Sequence, residues 1–168
     1  MKNIAIIVAS INKNMQLALN IQEVVTELEA KSEVINLVAL DLPMYTSILE
    51  DEKGIPQEVI ALTEHLQTFD AFIIVSPEYN GSMPPVLNNA IAWVSREGDD
   101  FRAIFNQKFV ALASHSGGGG MRGNDAVRAM FSYIGSNILS REIINNYSKP
   151  YKKETAVSIV KELVAYSK

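Results

Sequence analysis

The run Val75 to Trp93, VSPEYNGSMPPVLNNAIAW, holds the residues best suited to chemistry. It leaves an apolar segment through a proline, a carboxylate, a tyrosine, an amide and a glycine, and then two prolines open a second apolar stretch. A plain connection needs roughly two to six residues and no aromatic. Pro77 begins the loop, Glu78 offers a carboxylate, Tyr79 a flat face, and Asn80 both a donor and an acceptor. Gly81 permits a tight backbone turn. Together they suit a planar heteroaromatic ligand with amide-like edges.

Two other loops carry useful residue types. Ser116 is followed by the glycine run Gly117 to Gly120, where the missing Cβ atoms let something flat approach the backbone. Gly118, Gly120 and Gly123 also satisfy GxGxxG. A glycine run makes that match by chance, and a dinucleotide fingerprint follows the first strand of its unit, not the fourth. The segment SINKNMQ, Ser10 to Gln16, opens a helix-period stretch. A helix N-terminus suits an anion such as phosphate, with Ser10, Asn12 and Asn14 as added donors and Lys13 as a charge. The plainer reading is helix capping by Asn12 or Asn14. No GxxxxGK[ST] is present, which disfavours a nucleoside-triphosphate loop.

No acid/base pair or nucleophile with its base is visible. Hydride transfer through a bound flavin needs neither, because the cofactor does the chemistry and the protein positions it. Other conspicuous residues take plainer roles. His115 reads as a hydrogen-bonded loop residue, His65 as surface, and Trp93 as a core or subunit contact. Asp99 and Asp100 read as a solvated turn with no metal site, and the methionines as core filler.

The elements that must position these loops follow from periodicity. Ile4–Ala9, the EVINL segment, Ala71–Ser76, KFVALASHS and NILSREIIN read as strands. Helical stripes are Leu17/Ile21/Val24/Val25/Leu28, Val59/Leu62/Leu66/Phe69, Leu87/Ala90/Ile91/Val94, Val127/Met130/Phe131/Ile134 and Val157/Val160/Val164. Pro43 in DLPMY breaks any continuation of the second strand, and Pro84 and Pro85 suit the first turn of the third helix. Strand and helix alternate five times, so the expected class is α/β: a parallel sheet covered on both faces. Ligands of such sheets bind beyond the carboxyl ends of the strands, where strand order reverses. All three loops fall at such ends.

With 168 residues and no linker or repeat, the chain reads as one domain, residues 1–168. The absence of cysteine excludes disulfides, thiolate metal sites and a cysteine nucleophile. A net charge of −4 disfavours nucleic acid, and KPYKK is too short to be a basic patch. The N-terminal apolar run is too short to span a bilayer and lacks a signal-peptide layout, so a cytoplasmic protein without a membrane partner is expected.

The segment SPEYNGSMPPVLNNAIAW resembles the flavin-contacting stretch of the NAD(P)H-dependent FMN reductases, which reads close to PEYNGSIPGVLKNAIDW. The first strand ending in serine, DLPMY after the second strand and the glycine loop after the fourth agree with it, over essentially the whole chain. The resemblance implies a three-layer flavodoxin-like fold with sheet order 2-1-3-4-5. It implies FMN as cofactor, NAD(P)H as co-substrate, a small-molecule electron acceptor such as flavin, quinone or azo compound, and a homodimer or homotetramer. By position, Pro77, Glu78, Tyr79, Asn80 and Gly81 would lie along the isoalloxazine ring. Gly117 and Gly118, after Ser116, would approach it from the other side, and Ser10 would bind the phosphate. The family's phosphate loop runs roughly G-S-x-R-x-x-S-x-N-x-x-L-A. Here Ala9-Ser10-Ile11-Asn12-Lys13-Asn14 leaves it about three residues short, without the glycine, the arginine and the second serine. Lys13 would replace the charge as a point rather than a fork. Pro85 stands in place of the usual glycine and Ala92 in place of the aspartate. Two other classes are kept: a flavodoxin-type electron carrier, and a flavin-free interaction protein.

Overall fold

The computed structural model describes residues 1–167. Its elements, in chain order, are β1 (Asn3–Val8), α1 (Lys13–Glu27), β2 (Lys31–Asn36), α2 (Leu37–Leu40), α3 (Ser47–Lys53), α4 (Gln57–Gln67), β3 (Ala71–Val75), α5 (Pro85–Val94), β4 (Phe109–His115), α6 (Met121–Tyr133), β5 (Asn137–Asn145) and α7 (Lys153–Tyr166). The strands form one parallel sheet in the order β2-β1-β3-β4-β5.

The period-2 alternation of each strand divides its side chains between two cores. Ile4, Ile6, Val8, Ala71, Ile73 and Val75 meet α1 and α7 on one face. Ala5, Ile7, Phe72, Ile74, Val110 and Leu112 meet α4, α5 and α6 on the other. Right-handed crossovers account for the division: β1→α1→β2 runs one way along the sheet, and every later crossover runs back. The reversal falls between β1 and β3, whose carboxyl ends Val8 and Val75 are register partners.

The structure departs from the sequence reading in four places. Leu37, placed in the second strand, begins α2, because the Asn36 side chain accepts the Val38 N–H at 3.1 Å and turns the chain. TSILEDEK carries α3, capped by Thr46, whose hydroxyl accepts the Leu49 N–H at 3.0 Å. That helix has no buried residue and so no apolar stripe to read. The methionines are not uniformly core filler: Met1, Met44 and Met121 are exposed. Neither Asn12 nor Asn14 caps α1, which has no side-chain cap.

Trp93 is fully buried, and its indole N–H donates to the Pro43 carbonyl at 2.7 Å. Asn89 accepts the Tyr45 N–H at 2.7 Å and donates to Pro43 O at 3.0 Å. Trp93 and Asn89 together pin DLPMY to α5 beside the carboxyl edge.

Candidate active site

Three connections leave the carboxyl edge at its centre. Each continues the sheet's ladder by one hydrogen bond before departing. Ala9 N–H donates to Val75 O at 3.0 Å, Ser76 N–H to Ala113 O at 2.9 Å, and Ser116 N–H to Asn145 O at 3.3 Å.

After β3, buried Pro77 leads into a hairpin turn. Tyr79 and Ser82 exchange both main-chain hydrogen bonds, 2.8 and 3.0 Å. Asn80 and Gly81 between them have φ of 53° and 73°. Two positive φ values at Asn-Gly mark a type I′ turn, which non-glycine residues other than Asn and Asp rarely open. Tyr79 is about half exposed at the tip. Among the described residues, the N–H groups of Asn80 and Gly81 meet no acceptor. Glu78, Tyr79, Asn80, Met83 and Pro85 line a cleft of about 550 Å³, within the size range of small-molecule sites.

After β4, Ser116 ties this loop to its neighbour. Its hydroxyl accepts the Glu78 N–H at 2.7 Å and shares a hydrogen bond with the Ser114 hydroxyl at 3.0 Å. The Glu78 carboxylate accepts the N–H of Gly123 at 3.2 Å, in the first turn of α6, where negative charge is favoured. A Cβ at Gly123 would stand 3.0 Å from Glu78 Cα, so glycine there lets α6 seat against the loop. Gly117 and Gly118 are exposed, and their N–H groups also meet no acceptor among the described residues. A Cβ at Gly118 would point into open space.

After β1, the side chains behave differently. Ser10 donates its hydroxyl to Ile11 O at 3.1 Å. Asn12 and Lys13 are exposed. Asn14 is buried, and its amide holds the His115 main chain from both sides: Nδ2 donates to O at 3.0 Å, and Oδ1 accepts the N–H at 2.9 Å. It joins α1 to the end of β4. The His115 ring packs edge-on to Tyr147 at 5.7 Å, with Nε2 buried and unpartnered among the described residues.

The structure thus brings Glu78, Tyr79, Asn80, Gly81, Ser116, Gly117 and Gly118 into one assembly. Ser10 and Asn14 have their polar atoms engaged within the protein. Sequence reasoning missed Gly123 as the seat for Glu78, and Arg122, whose Cδ would lie 3.7 Å from a Cβ at Gly81. The signals were the GxGxxG match that ends at Gly123 and, for Arg122, proximity to the glycine run. A second cleft, of about 530 Å³, lies at the β2 edge among Glu33, Leu40, Leu62 and His65 and includes none of the candidate flavin residues. There His65 Nε2 pairs with Glu33 at 3.0 Å, as a surface side chain. No group of three or more metal-ligating side chains occurs among the described residues.

A parallel sheet in this order, with its loops gathered at the reversal, defines a flavodoxin-like protein. The chain belongs to the NADPH-dependent FMN reductase family, whose model matches residues 2–148. It is 46% identical over 59 residues to a quinone reductase of Escherichia coli K12; that stretch covers 35% of this chain and spans 31% of the relative's length. It is 30% identical over 135 residues to a quinone reductase of Pseudomonas putida, covering 79% of this chain and 70% of the relative. Among solved structures it is similar to FerB, a flavoenzyme NAD(P)H:(acceptor) oxidoreductase from Paracoccus denitrificans. That TM-score is 0.74, at 23% identity, over 99% of this chain and 95% of the other.

FMN is the group this family implies. The ring end of such a molecule fits what is present: open space at Gly118, with the Tyr147 ring 3.8 Å from where a Cβ of Gly117 would stand, and main-chain donors without acceptors on two sides.

Proposed function

We propose that this chain is an NAD(P)H-dependent flavin oxidoreductase that binds FMN between the Pro77–Gly81 loop and the Ser116–Gly118 loop. The observation that carries the reading is the coupling of these loops: Ser116 and Glu78 lock together two runs of main-chain N–H groups that have no protein acceptor. When bound there, FMN supplies the chemistry of accepting and returning a hydride. The protein's share is positioning. Donors fixed by the Tyr79–Ser82 bonds stabilise negative charge without reorganising. No side chain need act as an acid, which suits a site whose ionisable groups are few. The cleft is open, so reduced dinucleotide and acceptor can occupy the same face in turn, a ping-pong scheme.

Quinones are the first acceptors to test, since the named relatives are quinone reductases; flavins and azo compounds follow. Residues 1–168 are read as one domain forming a homodimer or homotetramer. The exposed apolar side chains Val38, Met44 and Ile48 support association. A cytoplasmic location suits a chain without cysteine. No helix among the described residues is long and apolar enough to cross a membrane.

The test is NAD(P)H oxidation by the FMN-loaded protein with a quinone. Turnover that requires FMN and collapses in Gly81→Val is the expected result. A β-branched residue forced to φ 73° costs about 1–2 kcal/mol in the turn alone and displaces its donors. Turnover equal with and without bound FMN would remove the reading.

A further inference from the structure

We infer that Arg122 binds a phosphate of the reduced dinucleotide as it approaches the open cleft, and so recognises the reductant by its charge. The inference rests on the flavin reading above and adds a residue that reads the co-substrate rather than the flavin.

Arg122 is the second residue of α6. Its backbone is held from the next position, where the Gly123 N–H donates to the Glu78 carboxylate at 3.2 Å. Its stem lies against the Asn80–Gly81 turn: a Cβ at Gly81 would stand 3.7 Å from Arg122 Cδ. An exposed guanidinium therefore sits at the mouth of the cleft lined by Glu78, Tyr79 and Asn80.

The protein makes no use of that charge. Arg96 pairs with Glu50, Arg128 pairs with Glu142, Arg141 donates to the Ser158 hydroxyl, and Arg102 lies over the Phe101 ring. Arg122 forms no ion pair among the described residues: Glu78, and Asp125 one turn along α6, both lie beyond pairing distance. Helix stability does not explain it either, since a cation in a first turn meets the positive end of the helix dipole.

Chemistry then names the ligand class. A guanidinium presents a planar fork of donors that matches phosphate. The chain carries a net charge of −4, so it repels a polyanion overall and needs a local cation to receive one. A reduced dinucleotide is such an anion, through its pyrophosphate and, in NADPH, the further phosphate on the adenosine ribose. A neutral quinone is not. An arginine–phosphate pair at an exposed mouth is worth about three- to tenfold in affinity.

The test compares the FMN-loaded, full-length protein with Arg122→Gln. Each is titrated with NADP+ and with NAD+, followed by the visible flavin absorbance, and KM is measured for NADPH, NADH and a neutral quinone. The expected result is dinucleotide dissociation constants and KM values about three- to tenfold higher in the variant, with FMN affinity and quinone KM kept and partial recovery in Arg122→Lys. A loss confined to NADP+ and NADPH would assign the ribose phosphate, and a loss shared by NAD+ and NADH the pyrophosphate. Dinucleotides that bind the parent protein no better than Arg122→Gln would overturn the inference and leave the flavin reading intact. Weakened FMN binding in place of weakened dinucleotide binding would do the same. Failure of FMN to bind the parent protein would overturn the flavin reading itself and the inference with it.

Discussion

At the residue scale, side chains that looked like ligand donors divide between the site and its framework. Asn14 was legible as a polar residue at a helix start, but its partner lies 101 positions away in His115, and no local pattern announces such a bond. Asn14→Ala would leave a main-chain N–H and a carbonyl without partners near the core. We expect a loss of about 2–4 kcal/mol, read as a lower denaturant midpoint, with Asn14→Asp less damaging because it still accepts the His115 N–H. Ser116 was singled out for its place before the glycine run. Its visible work is to hold Glu78, 38 positions earlier. Ser116→Ala should cost about 1–2 kcal/mol in stability and should also weaken flavin binding, because the two loops lose their tie. A stability loss with unchanged flavin affinity would show that the tie does not shape the site.

At the element scale, periodicity carried most of the information. All five expected strands formed; β1, β3 and β4, buried on both faces, carry a continuous apolar signature, while the edge strands β2 and β5 are only partly buried. α3 escaped because it buries nothing, and α2 because an Asn36 side chain, not an apolar pattern, starts it. The tight turn foreseen at Gly81 became a type I′ hairpin through the Asn80-Gly81 pair. Trp93, expected in a core or subunit contact, is a core residue that also anchors the DLPMY segment. Trp93→Ala should destabilise by about 3–5 kcal/mol. Trp93→Phe should cost only about 1–2 kcal/mol, because Asn89 still holds Pro43. Faster amide exchange confined to residues 41–46 in Trp93→Phe would confirm that the indole N–H fixes this segment.

At the scale of the whole molecule, the alternation of elements pointed to a parallel sheet, whereas the order 2-1-3-4-5, and with it the reversal between β1 and β3, was legible only through the resemblance to the FMN reductases. The partners of Ser10 and Asn14 were not legible, because loop length shows which residues are missing but not where the remaining ones turn. The fold also predicts alkaline behaviour. Burial, then Glu23, Glu27 and Glu154, pushes the Tyr151 phenol above its ordinary 10.0. A hydrogen bond to Glu27 raises Lys153 above 10.5. Groups raised on folding stabilise fully below their unfolded values and lose that contribution as pH rises through the folded ones. Stability should therefore fall above about pH 10, and less steeply in Tyr151→Phe, as measured by Tm across pH.

The most direct test of the central claim is an anaerobic addition of NADPH to the protein loaded with stoichiometric FMN, followed by the visible flavin absorbance. The account predicts that the flavin band bleaches as an equivalent amount of NADPH is oxidised, and that it returns when a quinone is added. A flavin that binds yet keeps its oxidised spectrum under NADPH and NADH alike would contradict it, and would leave an FMN-binding scaffold that takes its electrons from another source.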